Sequence, residues 1–238
     1  MSENKDLIGV VDSGIDAETA FDAARSFRFA AGRVLEGVAS VDAVGHATNT
    51  IRLIRSGSPQ SRFAIAQVFF DSASAPEAVA VAVDWCVGMD AQLINLSLGT
   101  PGHSDLLRDA CARAHAAGCL LVASVPSCGP IVYPAAYPGV VRVTGDARCQ
   151  PGRFSWVNSE RCDFGASPLP HRQCTSNRSL AGGASCATAR VTAVLAALLQ
   201  SGCAPARCVA QLAARCAFQG AQSARAAATV EPLRIELG

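Results

Sequence analysis

The sequence predicts an α/β fold: a mostly parallel β-sheet with helices on both faces, three layers in all. Three observations carry that prediction. Short apolar runs recur at 7–11, 64–70, 92–99, 119–124 and 139–144. Stretches with helix start and stop signals lie between most of them. The runs are also predominantly apolar, as strands buried on both faces require. Half of the 238 residues are hydrophobic and 16% are charged, which is enough apolar material for one sizeable core. No internal repeat or linker divides the chain, so residues 1–238 read as a single domain.

Each element has a local reason. Leu7-Ile8-Gly9-Val10-Val11 is a buried strand closed by the turn Asp12-Ser13-Gly14. Asp16 is expected to cap a short helix running to about Arg25. Asp42 to Thr48 opens a second helical stretch with Ile51, Leu53 and Ile54 on its apolar side. After the strand at 64–70, Ser74-Ala75-Pro76-Glu77 reads as a capping box with proline in the first turn, opening a helix to about Met89. The strand at 92–99 ends in glycine. Ser104 and Asp105 start a helix that stops at Gly118. The stretch 148–178 is polar and rich in Gly, Pro and Ser, and reads as irregular or short antiparallel structure. Residues 187–199 read as a buried helix, and 205–219 as a last helix with Pro205 at its start and Gly220 beyond its end.

Composition excludes several classes of function. A formal net charge of +1 leaves no footprint for nucleic acid or an anionic membrane. There is no apolar run long enough to span a bilayer and no signal region, so a cytoplasmic location is expected. The eleven cysteines form no Cys-x-x-Cys pair and are read as reduced thiols, several of them packed in apolar runs. With no acidic loop of calcium-ligand spacing either, no metal and no cofactor is expected.

In open parallel sheets, sites form beyond the carboxyl ends of the strands, and Asp12, the Ser97–Gly99 stretch and Ser127 fall there. Gly182-Gly183-Ala184-Ser185 adds a serine at a helix start, where orphan N–H groups and the dipole favour developing negative charge. Ile8 to Ile15 around Asp12 resembles the aspartate motif of the subtilisin-like serine peptidases. Asp42-x-x-Gly45-His46-x-Thr48 resembles their histidine motif, and Gly183-Ala184-Ser185-Cys186-Ala187 their serine motif. The stretch from Trp85 to Gly99 is similar to the strand whose end supplies the substrate edge, and Tyr133 to Val143 to the segment after the oxyanion region. The five motifs stand in the family's order over most of the chain.

The resemblance implies a subtilisin-like fold and a role for each residue. Ser185 would attack a peptide carbonyl, His46 would take its proton and pass it to the leaving amine, and Asp12 would hold the imidazole tautomer. Ser97, Leu98 and Gly99 would pair with an extended peptide substrate, with Gly99 leaving room for a side chain. Ser127, in Val125-Pro126-Ser127-Cys128-Gly129, stands where the family carries its oxyanion asparagine. Losing such a donor costs roughly 10²–10³ in turnover. Further departures are Ala47, Ala184, Ala189 and Arg190. Cys128 and Cys186 are expected to flank the site as packing thiols, close enough for a bulky mercurial on either to block it. His103, His115 and His171 match no motif. The chain starts at the strand bearing Asp12, so no propeptide is expected, and a narrow substrate such as a precursor peptide follows. The competing readings are a catalytically inactive peptide-binding module and a peptide transamidase or macrocyclase.

Overall fold

A computed structural model describes residues 6–70, 73–130, 132–174 and 182–222. Its centre is a ten-stranded sheet. The strands are β1 (Leu7–Asp12), β2 (Ala23–Ala30), β3 (Arg33–Gly37), β4 (Arg62–Gln67), β5 (Leu93–Leu96), β6 (Leu120–Ser124), β7 (Val140–Gly145), β8 (Phe154–Trp156), β9 (Phe164–Ala166) and β10 (Phe218–Gln219). Their order is β10-β8-β9-β7-β6-β5-β1-β4-β2-β3. From β9 to β2 every neighbouring pair is parallel. Only the β2–β3 hairpin and the β8–β9 pair run antiparallel.

Among the described residues the α-helices are α1 (His46–Gly57), α2 (Pro76–Gly88), α3 (Asp105–Ala116), α4 (Ala184–Gln200) and α5 (Pro205–Ala214). Strand residues alternate between the two faces, and the core divides accordingly. Leu7 and Val11 join the cluster under α2 and α3 with Val79, Val83 and Leu107. Ile8 and Val10 join the cluster under α1, α4 and α5 with Ile51, Ile54, Val191 and Leu195. Helix α2 lies so close to β1 that a Cβ on Gly9 would sit 2.8 Å from Cys86 Sγ. Among the described residues, no single helix is long and apolar enough to cross a membrane.

Several local expectations are corrected. Residues 16–25 form no helix. Asp16 instead closes a turn, accepting from Thr19 Oγ1 at 2.7 Å and Glu18 N at 3.2 Å, and the chain enters β2. Nor does the capping box form. Ala75 takes the N-cap position of α2 with no side-chain bond, and Ser74 Oγ is buried without a partner. The last helix ends at Ala214, and Phe218–Gln219 pairs with β8 as a strand. Ser104 does cap α3, accepting from Leu107 N at 3.4 Å. The 148–178 stretch supplies the short β8–β9 pair as expected, with its last four residues outside the described ones.

Candidate active site

The carboxyl ends of β1, β5 and β6 and the N-termini of α1 and α4 meet on one side of the sheet. Asp12 is the last residue of β1 and is 1% exposed. Its Oδ1 accepts from His46 Nδ1 at 2.7 Å and from Ser13 N at 2.7 Å. Its Oδ2 is buried without a hydrogen bond. Residue 46 opens α1, so the turn before that helix sets the ring's position. A carboxylate holds this turn: Asp42 Oδ1 accepts from Ser13 Oγ, Val44 N and Gly45 N, and Oδ2 from Thr48 N and Thr48 Oγ1. Ser13 Oγ in turn accepts from Ala47 N at 3.0 Å. The aspartate and histidine motifs are thus cross-braced.

The charge of Asp12 raises the His46 pKa above its usual 6.5; burial opposes this, and Asp42 adds to the rise. With Nδ1 committed to the carboxylate, the proton sits on Nδ1 in the neutral ring and Nε2 keeps a lone pair.

Ser185 lies in the first turn of α4, after a Gly183 N-cap that supplies no side chain. The approach is tightly bent. Gly183 N donates to Pro168 O at 2.8 Å, Gly182 has φ +82°, and a Cβ on Gly182 would stand 2.3 Å from that carbonyl oxygen. Only glycine fits there. Ser185 Oγ donates to Ser97 O at 3.1 Å, and no hydrogen bond joins it to His46. The structure therefore pairs Asp12 directly with His46, and leaves the Ser185 hydroxyl turned to the end of β5.

That end is itself tied to α4. Asn95 Nδ2 donates to Thr192 Oγ1 at 2.9 Å, and Ser97 Oγ donates to Asn95 Oδ1 at 2.8 Å and to Ser185 O at 3.3 Å. Gly99 does not leave the expected room: Val132 is packed against it, 3.2 Å from where a Cβ would lie. A cavity of about 220 Å³ instead runs past Leu98, Gly99 and Thr100 between Phe69, Val79 and Leu107. Ser127 is exposed in the turn after β6 and lines a second cavity together with Gly183 and Ala184.

Cys128 is not a packing thiol: it is exposed and lines that second cavity. Cys186 is packed as expected: it is buried, its Sγ accepts from Asn49 Nδ2 at 3.3 Å, and burial raises its pKa. Arg190 is no free surface cation. Its guanidinium donates to Ser167 O at 3.2 Å and Leu169 O at 2.8 Å, and burial lowers its pKa.

Sequence reasoning missed Asn49 and Asn95 as parts of the site. Asn49 accepts from His171 N at 2.8 Å while holding Cys186, so it joins the helix of His46 to that of Ser185. A buried asparagine in an apolar stretch (Ile94-Asn95-Leu96) was the available signal.

Comparison with known proteins agrees with this architecture. No family model matches the chain. The minor extracellular protease Epr of Bacillus subtilis is 35% identical over 124 residues, 50% of this chain and 19% of its own length. Subtilisin DY of Bacillus licheniformis is 27% identical over 171 residues, 64% of this chain and 61% of its own length. The matched part thus spans less than two thirds of these relatives. Among solved structures, the epidermin leader peptide processing serine protease of Staphylococcus aureus superposes with a TM-score of 0.68 at 16% identity. That match covers 87% of this chain and 68% of the other. The nisin leader peptidase of Lactococcus lactis gives 0.63 at 18% identity, covering 87% and 81%. In fold and in its sequence relatives, this chain is subtilisin-like.

Proposed function

We propose that the chain is a serine endopeptidase in which Asp12, His46 and Ser185 act as a proton-transfer chain. The observation that carries this is the 2.7 Å contact between His46 Nδ1 and a carboxylate that is 1% exposed. Such a contact fixes the tautomer and stabilises the imidazolium formed when the base takes a proton. The reading requires the Ser185 hydroxyl to leave Ser97 O and turn to Nε2 when substrate binds. Looser contacts of this kind in the free enzyme are usual before substrate binds.

With Oγ deprotonated by His46, attack on a peptide carbonyl forms the C–O bond and places charge on the carbonyl oxygen. The first turn of α4, which no side chain caps, would supply backbone N–H groups to that charge, and Ser127, on the same cavity as Gly183 and Ala184, would add its hydroxyl. The imidazolium then protonates the leaving amine as the C–N bond breaks, and water repeats the sequence to free the acyl group.

The peptide would lie as an added strand against Ser97, Leu98 and Gly99, where main-chain bonds give affinity. Leader-processing proteases among the structural neighbours support a precursor peptide as substrate. The Ser185–Ser97 bond is what favours the second reading, a peptide-binding module without turnover.

A fluorophosphonate probe separates the two. The peptidase reading expects covalent labelling of the chain that disappears in both Ser185→Ala and His46→Ala. An unlabelled wild-type protein that still binds peptides would establish the binding module.

A further inference from the structure

The cavity shared by Ser127, Gly183 and Ala184 has a volume of about 900 Å³, within the roughly 300–1,000 Å³ of ligand pockets. Its place follows from the strand order. Ser127 follows β6, Thr144 to Ala147 end and follow β7, and Ser159 and Arg161 lie between β8 and β9. His46, by contrast, lies above β1, on the other side of β5. The cavity therefore opens beside Ser185 on the side away from the imidazole. Since the leaving amine must face the imidazole, this side receives the residue that supplies the attacked carbonyl.

Two charged side chains line the cavity, and their situations differ. Asp146 is 2% exposed and fully engaged: Oδ1 accepts from Arg148 N and Nε, and Oδ2 from Arg148 Nη2 and Ser155 Oγ. Arg161 makes no ion pair with any described residue, and its one hydrogen bond to the main chain of another segment is from Nη2 to Gly129 O at 2.6 Å. A guanidinium has five N–H donors, so most of the donor capacity of this exposed, cavity-lining residue is unused among the described residues. Thr144 Oγ1, also on the lining, is buried without a hydrogen bond. The remaining wall is mostly apolar, including Val125, Pro126 and Val157.

We infer that this cavity takes an acidic side chain, Glu or Asp, of the peptide residue next to the attacked bond, with Arg161 as its counter-charge. The inference rests on the peptidase reading for which residue of the substrate enters, and on the cavity alone for the chemistry of that residue. An unpaired guanidinium over an apolar pocket favours a carboxylate over its amide and disfavours a lysine.

The test uses internally quenched peptide libraries in which each position in turn is fixed as Glu, Gln or Lys. At one position the wild type should cleave Glu over Gln by on the order of tenfold in kcat/KM, as expected for a partly exposed charged hydrogen bond. Arg161→Gln should bring that ratio close to one, Arg161→Lys should keep part of it, and Arg161→Glu should make Lys the preferred residue. Binding of the same peptides to Ser185→Ala, with and without Arg161→Gln, reads the pocket independently of turnover. A Glu preference in that binding, lost with Arg161→Gln, supports the pocket even if the chain proves inactive. Equal Glu and Gln values at every position in cleavage and binding alike, or a Glu preference untouched by Arg161→Gln, overturns it. Fluorophosphonate labelling of the wild type, which needs no peptide, reads the nucleophile separately, so a failure of the pocket is distinguishable from a failure of the peptidase reading.

Discussion

Replacing Asp12 by asparagine separates the two things this carboxylate does for His46. The structure places Oδ1 at 2.7 Å from Nδ1 in a site that is 1% exposed, so the charge lost is close and little screened. At an effective dielectric of about 20, charges about 4 Å apart interact by roughly 4 kcal/mol, near three decades in rate. The second oxygen has no partner, whereas Oδ1 also accepts from Ser13 N, so an asparagine keeps its oxygen toward Ser13 and the ring unless the amide turns over. Turned toward the ring, its NH₂ would force the proton onto Nε2 and remove the base, the tautomer error that costs about 10⁴ in a serine protease triad. A fall of about 10³–10⁴ in kcat/KM at the pH plateau is therefore expected. Because Asp12 is the largest cause of the raised His46 pKa, the acid limb of the profile should move to lower pH in the same variant. The linked stability has a definite sign: a raised histidine pKa stabilises the fold below its unfolded value near 6.5, and this is lost as pH rises through the folded value. Asp12→Asn should thus unfold more easily in the acidic range than the wild type. The assay is a kcat/KM profile on a quenched peptide from pH 5 to 9, with thermal melts at each pH. A plateau within tenfold of the wild type, or an acid limb that stays in place, would refute the assignment of Asp12 to His46.

Two further outcomes follow from the geometry of the serine side. Thiol reagents should inhibit through exposed Cys128 and spare buried Cys186, so a mercurial should lose its effect on Cys128→Ser and keep it on Cys186→Ser; the reverse pattern would sink this reading. Gly182→Ala must leave the left-handed region and clear the Pro168 carbonyl, at a cost of about 1–3 kcal/mol. The variant should melt lower by roughly 2–4 °C per kcal/mol and react at least tenfold more slowly with fluorophosphonate, and wild-type values in both measurements would contradict the bend.

The parallel sheet was legible because its strands are buried on both faces, and continuous apolar runs such as Leu120–Ala123 survive any tertiary context. The β2–β3 hairpin was not. It sits at the sheet's edge, where only Ser26 and Phe27 of β2 are buried, and a well-formed Asx turn at Asp16 imitates a helix cap. The capping box at Ser74 failed for a related reason: the signal is local, and the Ala75 backbone already provides the extended entry that proline at the first position needs. In the site, Asp12, His46 and Ser185 could be singled out because each follows or opens an element. The network that orients them could not. Asn49 to Cys186, Asn95 to Thr192 and Ser97 to Ser185 each join residues about ninety or more positions apart. Such pairings exist only once the sheet has set the two helices side by side.

The ladder from Thr192 through Asn95 and Ser97 to Ser185 has a consequence for where a chain would be cut. It ties the end of β5 to the main chain of the first turn of α4, so neither can slide relative to the other. In the proposed peptidase, a peptide laid along residues 97–99 would be measured from a fixed origin, and the bond it presents would be decided by its own register on that ruler.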